Sequence, residues 1–198
     1  MQKISREQLV DKAVSLMSEG TVTAVLGWQR GEFDYDITPA LFDDIEKLKS
    51  DFVWNDFCGA NFSKYLVKHT KKLDGKLLVF LKPCDTYSFN QLLTEHRFDR
   101  EKVYAVGISC DGMIDVEKLK KACPDAISSI EFNGDNLIIN TIYDEKSECN
   151  KTDLLAERCI NCKSKKHVAY DELIGPDGEV IDSNRFDEVS RLENMTPD

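Results

Sequence analysis

The sequence predicts an α/β fold: a mixed, mostly parallel sheet flanked by helices, with a β-hairpin and a cysteine-bearing C-terminal segment. Two stretches, 76–93 and 102–119, share one plan, in which a buried-looking strand leads into a Cys-Asp pair and then an amphipathic helix. Their cysteines, Cys84 and Cys110, lie 26 residues apart, which is about one β-α unit of a parallel sheet. Further on, Asn133-Gly134 separates two strand-like runs and predicts a hairpin with a type I′ turn, which needs positive φ at both central residues.

The elements before these units follow from local patterns. Ser5-Arg6-Glu7-Gln8 is a capping box in which the Ser5 hydroxyl accepts from the Gln8 N–H and Gln8 reaches back. It opens a helix over about 5–19 that Gly20 ends. Apolar and β-branched patterns predict strands over 21–28 and within 33–42, and a shorter helix over 61–69.

Length and composition suit one domain with a tail. The chain has 198 residues, of which 41% are hydrophobic and 31% charged, an ordinary supply for a globular core. We expect an α/β domain over 1–175 and an acidic linker or tail over 176–198, because residues 171–198 carry nine Asp or Glu against two Arg. The turn at 175–178, with the sequence Gly-Pro-Asp-Gly, marks the edge of the domain.

Net charge and hydropathy argue against nucleic-acid-binding, membrane-spanning and secreted proteins. A net charge of −10 argues against nucleic acid as a partner, since binding phosphates needs a basic face. The longest apolar runs stop after about eight residues, far short of the roughly 20 that a membrane span needs. The N-terminus lacks the apolar core of a secretory signal, so we expect a cytoplasmic protein without a membrane span.

Cysteine usage points to metal or redox chemistry. Seven cysteines are many for a cytosolic chain, and their odd number argues against a fully paired disulfide framework. The carboxyl ends of neighbouring parallel strands meet at one edge of a sheet, where ligands gather. Cys84 and Cys110 both fall there, and Cys159 and Cys162 form the one C-x-x-C of the chain. These four residues are the predicted metal ligands.

The number of cysteine ligands alone does not identify the metal. Four thiolates hold a [4Fe-4S] cluster, and four thiolates also hold Zn²⁺. A zinc site is usually built from two local Cys pairs, whereas two of these ligands stand alone and far apart in sequence. This difference favours iron–sulfur, with zinc as the alternative.

The other cysteines, the aspartates of the Cys-Asp pairs and one histidine are not among the four predicted ligands. Cys58 is a reserve ligand, because it lies in a loop that opens a helix, while Cys123 and Cys149 are interpreted as ordinary thiols. Asp85 and Asp111 are interpreted as caps of the helices after their cysteines. His167 is interpreted as a surface histidine rather than a ligand.

The C-x-x-C lies in a local basic patch. Arg158, Lys163, Lys165 and Lys166 surround it. Three interpretations of this patch stay open: the cations lower the net charge of a bound cluster, they dock an acidic partner, or they form an ordinary solvated face. No G-x-G-x-x-G, P-loop, Ser-His-Asp or H-E-x-x-H signature occurs, so no hydrolytic chemistry is expected.

The ordered set of motifs resembles a known family, the beta subunits of coenzyme F420-reducing hydrogenases and formate dehydrogenases, which are iron–sulfur flavoproteins of anaerobes. Residues 82–85 (KPCD) resemble its Cys-Asp motif and residues 107–115 (GISCDGMID) its G-I-x-C-x-G motif. Residues 159–162 (CINC) resemble its C-x-x-C, and residues 55–66 resemble the segment before the first motif. The resemblance covers about 20–175.

The resemblance implies that Cys84, Cys110, Cys159 and Cys162 ligate a [4Fe-4S] cluster. It implies an electron-transfer module of an anaerobic multisubunit oxidoreductase, a hydrogenase, formate dehydrogenase or heterodisulfide-reductase-like enzyme, whose catalysis belongs to partner subunits. Redox subunits or a ferredoxin-type domain are the implied partners. FAD is the second cofactor that the resemblance allows, since some members bind it. Two alternative functions stay open: a zinc-stabilised scaffold without redox function, and a flavin-dependent reductase.

Overall fold

Parallel strands form the centre of the larger of two sheets. The computed structural model describes residues 4–179 and 186–196. The strands of this sheet run in the order β2-β1-β3-β4-β8. The strand β2 is antiparallel to β1, and the other three pairings are parallel. Their bounds are β1 (Ala24–Arg30), β2 (Ile37–Phe42), β3 (Leu77–Leu81), β4 (Val103–Ile108) and β8 (Glu172–Ile174). The predicted fold class is confirmed.

Helices flank this sheet. Their bounds are α1 (Arg6–Ser18), α2 (Ile45–Asp51), α3 (Ser63–Lys72), α4 (Pro83–Thr94) and α5 (Val116–Ala122), with a 3₁₀ turn at Arg100–Lys102. The predicted capping box is present at α1: the Gln8 N–H donates to Oγ of Ser5 over 3.2 Å, and the Ser5 N–H donates to Oε1 of Gln8 over 2.9 Å.

The core of the domain lies along the central strands. All five residues of β3 are fully buried, as expected for a parallel strand that is covered on both faces. Aromatic side chains extend this core toward the carboxyl ends of the strands, where the ring of Trp28 lies 4.2 Å from that of Phe62 between centroids. Within the described residues, no helix is long and apolar enough to span a membrane.

The predicted hairpin is present and belongs to a second, antiparallel sheet in the order β5-β6-β7. Its strands are β5 (Ile127–Asn133), β6 (Asn136–Thr141) and β7 (Lys146–Asn150). The turn type was predicted wrongly. Asn133 pairs with Asn136, so the central residues are Gly134 and Asp135, and of these two only Gly134 has a positive φ, 62°. Glycine alone at the first central position is the pattern of a type II′ turn.

Short elements complete the chain. They are α6 (Lys151–Leu154), α7 (Glu157–Ile160) and α8 (Asp187–Glu193). The turn after β8 packs on the domain, since Oγ of Ser109 donates to the carbonyl oxygen of Pro176 over 2.6 Å. Of the predicted tail, residues 180–185 and 197–198 lie outside the described residues.

Candidate functional site

The two strand–cysteine units lie side by side. The strand β3 is parallel to β4, with Leu81 opposite Gly107, so both strands end at the same edge of the sheet. Cys84 follows in the first turn of α4, and Cys110 follows two residues after β4. The sequence prediction that these two cysteines emerge from neighbouring strands is confirmed.

Backbone contacts hold the C-x-x-C segment against the loop that follows Cys110. The Ala156 N–H donates to the carbonyl oxygen of Met113 over 2.9 Å, and Ile114 forms a β-bridge with Leu155. The Met113 N–H in turn donates to Sγ of Cys159, in the C-x-x-C, over 3.4 Å. The loop after Cys110 therefore fixes where Cys159 lies.

One cavity of about 500 Å³ gathers the four predicted ligands. Its lining includes Cys84, Cys110, Cys159 and Cys162, and all four are free thiols. Cys84 is exposed at the mouth, and the other three are half-buried. The structure thus brings together residues that are up to 78 positions apart in sequence.

The thiols at the strand ends are difficult to ionise in the ligand-free chain. Although Cys84 is exposed at the mouth, the surrounding protein atoms desolvate its thiol and raise its pKa to about 12, and Asp85 adds to the rise. Burial also raises the pKa of Cys110, against a hydrogen bond from the Gly112 backbone that lowers it. Metal ligation requires thiolates, so a bound metal group has to displace these protons.

A single metal ion has no ready site here. In residues 4–179 and 186–196, no group of three or more His, Cys, Asp or Glu side chains is arranged to hold a metal ion. The four thiols share a cavity without surrounding one point. Ligation by these four cysteines stays a prediction.

Lys82 is the main residue of the site that sequence patterns missed. Its side chain is 3% exposed, and its Nζ lies 2.9 Å from Oδ2 of Asp85. Nζ also donates to the carbonyl oxygens of Cys58, over 3.2 Å, and Ala60, over 2.9 Å. Burial acts to lower the pKa of Lys82, but Asp85 and the thiols of Cys110 and Cys84 outweigh it and the pKa is raised. A buried cation therefore lies in the wall of the cavity.

The interpretation of His167 as a surface residue was wrong. Its ring is buried, with Nε2 lying 3.2 Å from the carbonyl oxygens of both Leu81 and Ile108. Its Nδ1 lies 2.6 Å from Oδ1 of Asp177. Leu81 and Ile108 are the last residues of β3 and β4, so His167 ties the segment after the C-x-x-C to the strand ends that precede Cys84 and Cys110.

The two aspartates of the Cys-Asp pairs differ. Oδ2 of Asp85 accepts from the Lys82 N–H at the start of α4 over 3.2 Å, so its predicted capping role is confirmed. Asp111 does not cap α5. Asp115 does, by accepting from the Glu117 N–H over 2.9 Å, because the helix begins four residues later than a cap at Asp111 would place it. Oδ1 of Asp111 is buried without a hydrogen-bond partner among the described residues.

The other three cysteines lie away from the cavity. Cys58 is fully buried in the main core, and its Sγ accepts from the Asn55 N–H over 3.3 Å. Burial raises its pKa to about 12. Cys123 and Cys149 both belong to a second hydrophobic cluster, under the antiparallel sheet. The structure therefore does not bring Cys58 into the lining.

No family model matches the chain, and comparison with known proteins gives several sequence relatives, among them two formate dehydrogenase subunits. The F420-dependent formate dehydrogenase subunit beta of Methanocaldococcus jannaschii is 29% identical over 99 residues, 50% of this chain and 26% of the relative. The F420-dependent formate dehydrogenase 1 subunit beta of Methanococcus maripaludis is 27% identical over 99 residues, 50% of this chain and 25% of the relative. The matched region thus spans about a quarter of each curated relative.

A solved structure shares the fold. A chain of the xenon-derivatised F420-reducing [NiFe] hydrogenase complex from Methanosarcina barkeri superposes with a TM-score of 0.58. The match covers 78% of this chain and 58% of that chain at 14% sequence identity, so it shows the fold alone. The predicted resemblance is confirmed: over half of its length the chain is similar in sequence to beta subunits of F420-dependent formate dehydrogenases, and over most of its length it shares the fold of a chain of the F420-reducing hydrogenase complex.

Proposed function

We propose that this chain is an electron-transfer module that holds one [4Fe-4S] cluster through Cys84, Cys110, Cys159 and Cys162. The observation that carries the proposal is the convergence of these four free thiols on one cavity. Two relatives are named beta subunits of F420-dependent formate dehydrogenases, which supports a role within a redox enzyme. The module would act within an anaerobic multisubunit oxidoreductase and would leave catalysis to other subunits.

The donor set fits a cluster. In a cubane each thiolate binds a different iron atom, so the thiolates are spread over the surface of the cluster rather than around one ion. Four thiols that share a cavity of about 500 Å³ suit that requirement, and among the described residues no group of three or more His, Cys, Asp or Glu side chains is placed to hold a single ion. When bound, the cluster would accept and release single electrons.

The chain's own groups support a charged cluster. The Met113 N–H already donates to Sγ of Cys159, and the Gly112 N–H contributes to Cys110. Hydrogen bonds to the sulfurs are one of the means by which a protein sets a cluster's reduction potential. Lys82 adds a buried positive charge to the wall. These groups favour the thiolate forms of the cysteines and act against the effect of burial.

Metal analysis of the anaerobically purified chain tests the proposal. We expect about four irons and four sulfides per chain, little zinc, and a broad visible absorbance that dithionite bleaches. The Cys84→Ser and Cys110→Ser variants should each lose the cluster. Cys123→Ser is the matched control, since Cys123 is equally a free thiol but lies in the second hydrophobic cluster.

Two results would contradict the proposal. One zinc per chain with no colour would leave a zinc-stabilised scaffold, and an intact cluster in Cys84→Ser and Cys110→Ser would mean that the ligands are wrong. The same spectra test FAD, which stays a prediction from the resemblance: a yellow, fluorescent compound released on denaturation would reveal it.

A further inference from the structure

The rim of the cysteine cavity carries cations in a chain that is otherwise strongly acidic. Between residues 151 and 170 there are five Lys or Arg and two Asp or Glu, whereas the whole chain has a net charge of −10. Arg158, Lys163 and Lys165 line the cavity itself. The positive charge is therefore concentrated where the four thiols open to the surface.

Most of these cations have no carboxylate partner. Within the described part of the chain, Arg158, Lys165 and Lys166 form no ion pair. Of the carboxylates nearby, Glu157 pairs with Lys118 over 2.7 Å and Asp177 with His167, and the charge of Lys166 also acts on Asp177 without a close ion pair. In a chain with ten more acids than bases, unpaired neighbouring cations leave an attractive potential for an anionic surface.

Two of these cations lie against glycine residues. The guanidinium of Arg158 lies over the backbone of Gly59, where a methyl group would come within 3.3 Å of it. The carbonyl oxygen of Lys165 accepts from the Gly178 N–H over 2.9 Å, and the stem of Lys165 packs against that glycine.

Exposed apolar side chains flank the same opening. Ile160 lies between the two cysteines of the C-x-x-C and is 41% exposed. Tyr87, one helical turn after Cys84, is 47% exposed, and Val168 is 47% exposed. The Val168 N–H donates to Oγ1 of Thr86, the residue before Tyr87, over 3.1 Å. Apolar contacts with charged groups at their edge are the usual anatomy of a protein interface.

We propose that this surface, which we call the basic rim (Arg158, Lys165, Lys166, Ile160, Tyr87 and Val168), docks an acidic electron-transfer protein. The inference rests on the proposed function, since the partner would exchange electrons with a cluster held behind the rim. One electron passes from the reduced cluster to the oxidised partner, and no bond forms or breaks. The cations select a partner with carboxylates around its own redox centre, and the apolar side chains bring the two surfaces into contact.

Binding to a small acidic ferredoxin tests the basic rim. The full chain and the double variant Arg158→Gln/Lys165→Gln are titrated with this ferredoxin at low and high salt, under anaerobic conditions. The control is Lys71→Gln/Lys72→Gln, which removes the same charge at the end of α3, away from the cavity. We expect the rim variant to bind roughly tenfold more weakly at low salt and the control to bind like the wild type.

A second variant tests the apolar contacts. Tyr87→Ser should weaken binding at high salt as well as at low salt, because its contribution is not screened. Iron and sulfide are measured in every variant, so loss of the cluster is distinguished from loss of docking. A wild-type chain without a cluster would overturn the proposed function. The proposed docking surface would be overturned if binding did not depend on salt, or if the rim and control variants lost equal affinity for the ferredoxin.

Discussion

Nζ of Lys82 lies 2.9 Å from Oδ2 of Asp85, and both side chains are at most 3% exposed. The same ammonium reaches the carbonyl oxygens of Cys58 and Ala60 and lies 5.1 Å from the centre of the Trp28 ring. The pair therefore joins the loop around Cys58 to the start of α4, which carries Cys84. A buried charge of this kind is tolerated because each of its donors has an acceptor.

Removal of the lysine charge should destabilise the fold. Lys82→Met leaves Asp85 as a buried carboxylate without its cation, and breaking a buried pair in this way costs roughly 3–5 kcal/mol. We expect a loss of that size in the free energy of unfolding, measured with urea on the metal-free chain.

Two further variants test whether the loss of stability comes from the unpaired buried charge. Lys82→Met/Asp85→Asn removes both charges and should recover more than half of the loss, since no unpaired charge remains buried. Lys49→Met breaks a pair with Glu46 at the same i,i+3 spacing and 2.8 Å, but on the surface, and should cost less than about 1 kcal/mol. Equal losses in Lys82→Met and Lys49→Met would show that burial of the pair does not matter.

The convergence of Cys84 and Cys110 could be predicted from the sequence because it follows from a local pattern and a topological rule. Each stretch has a strand, a cysteine and a helix in that order, and parallel neighbours end at one edge of the sheet. The capping box of α1 was predictable for the same reason: all of its partners lie within four residues.

The burial of Lys82 and His167 could not be predicted, because their partners are distant in sequence. Lys82 bonds to carbonyl groups more than 20 positions away, and His167 bonds to one 86 positions away. No periodicity marks such contacts. The cap of α5 is Asp115 rather than the predicted Asp111, because the loop after Cys110 continues as far as the β-bridge between Ile114 and Leu155, a partner 41 positions away that no local pattern marks.

The close approach of Gly107 to His167 makes a second prediction. A methyl group at Gly107 would lie 2.8 Å from Cδ2 of His167 and 2.9 Å from a methyl carbon of Leu173. Gly107→Ala should therefore push the ring away from the strand ends and reduce the free energy of unfolding by about 1–3 kcal/mol, the usual cost of overpacking. Urea unfolding measures the loss.

A glycine in the same region serves as the control for Gly107→Ala. A methyl group at Gly178 would have its nearest contacts with Lys165, at an ordinary 3.4 Å, so Gly178→Ala should change the stability by less than about 0.5 kcal/mol. If both variants are equally stable, the ring of His167 is not confined by Gly107.

The contact between Asp177 and His167 makes the stability of this edge depend on pH. Burial acts to raise the pKa of Asp177, but hydrogen bonds from the ring and the backbone N–H of His167 outweigh it and lower the pKa below its ordinary value of 3.8. A carboxyl group with a lowered native pKa stabilises the fold above its unfolded pKa, and this contribution is lost as the pH falls through the native value. Since the carboxylate is 34% exposed, we expect no more than about 1 kcal/mol.

Comparison of Asp177→Asn with the wild type across the pH range checks this dependence. The variant should be less stable near pH 7, and the difference should shrink below pH 3.8 as the wild-type carboxylate becomes protonated. Asp125→Asn, at an exposed position, is the control and should follow the wild type throughout. A difference between Asp177→Asn and the wild type that is as large at pH 3 as at pH 7 would show that the ionised carboxylate of Asp177 does not stabilise the contact.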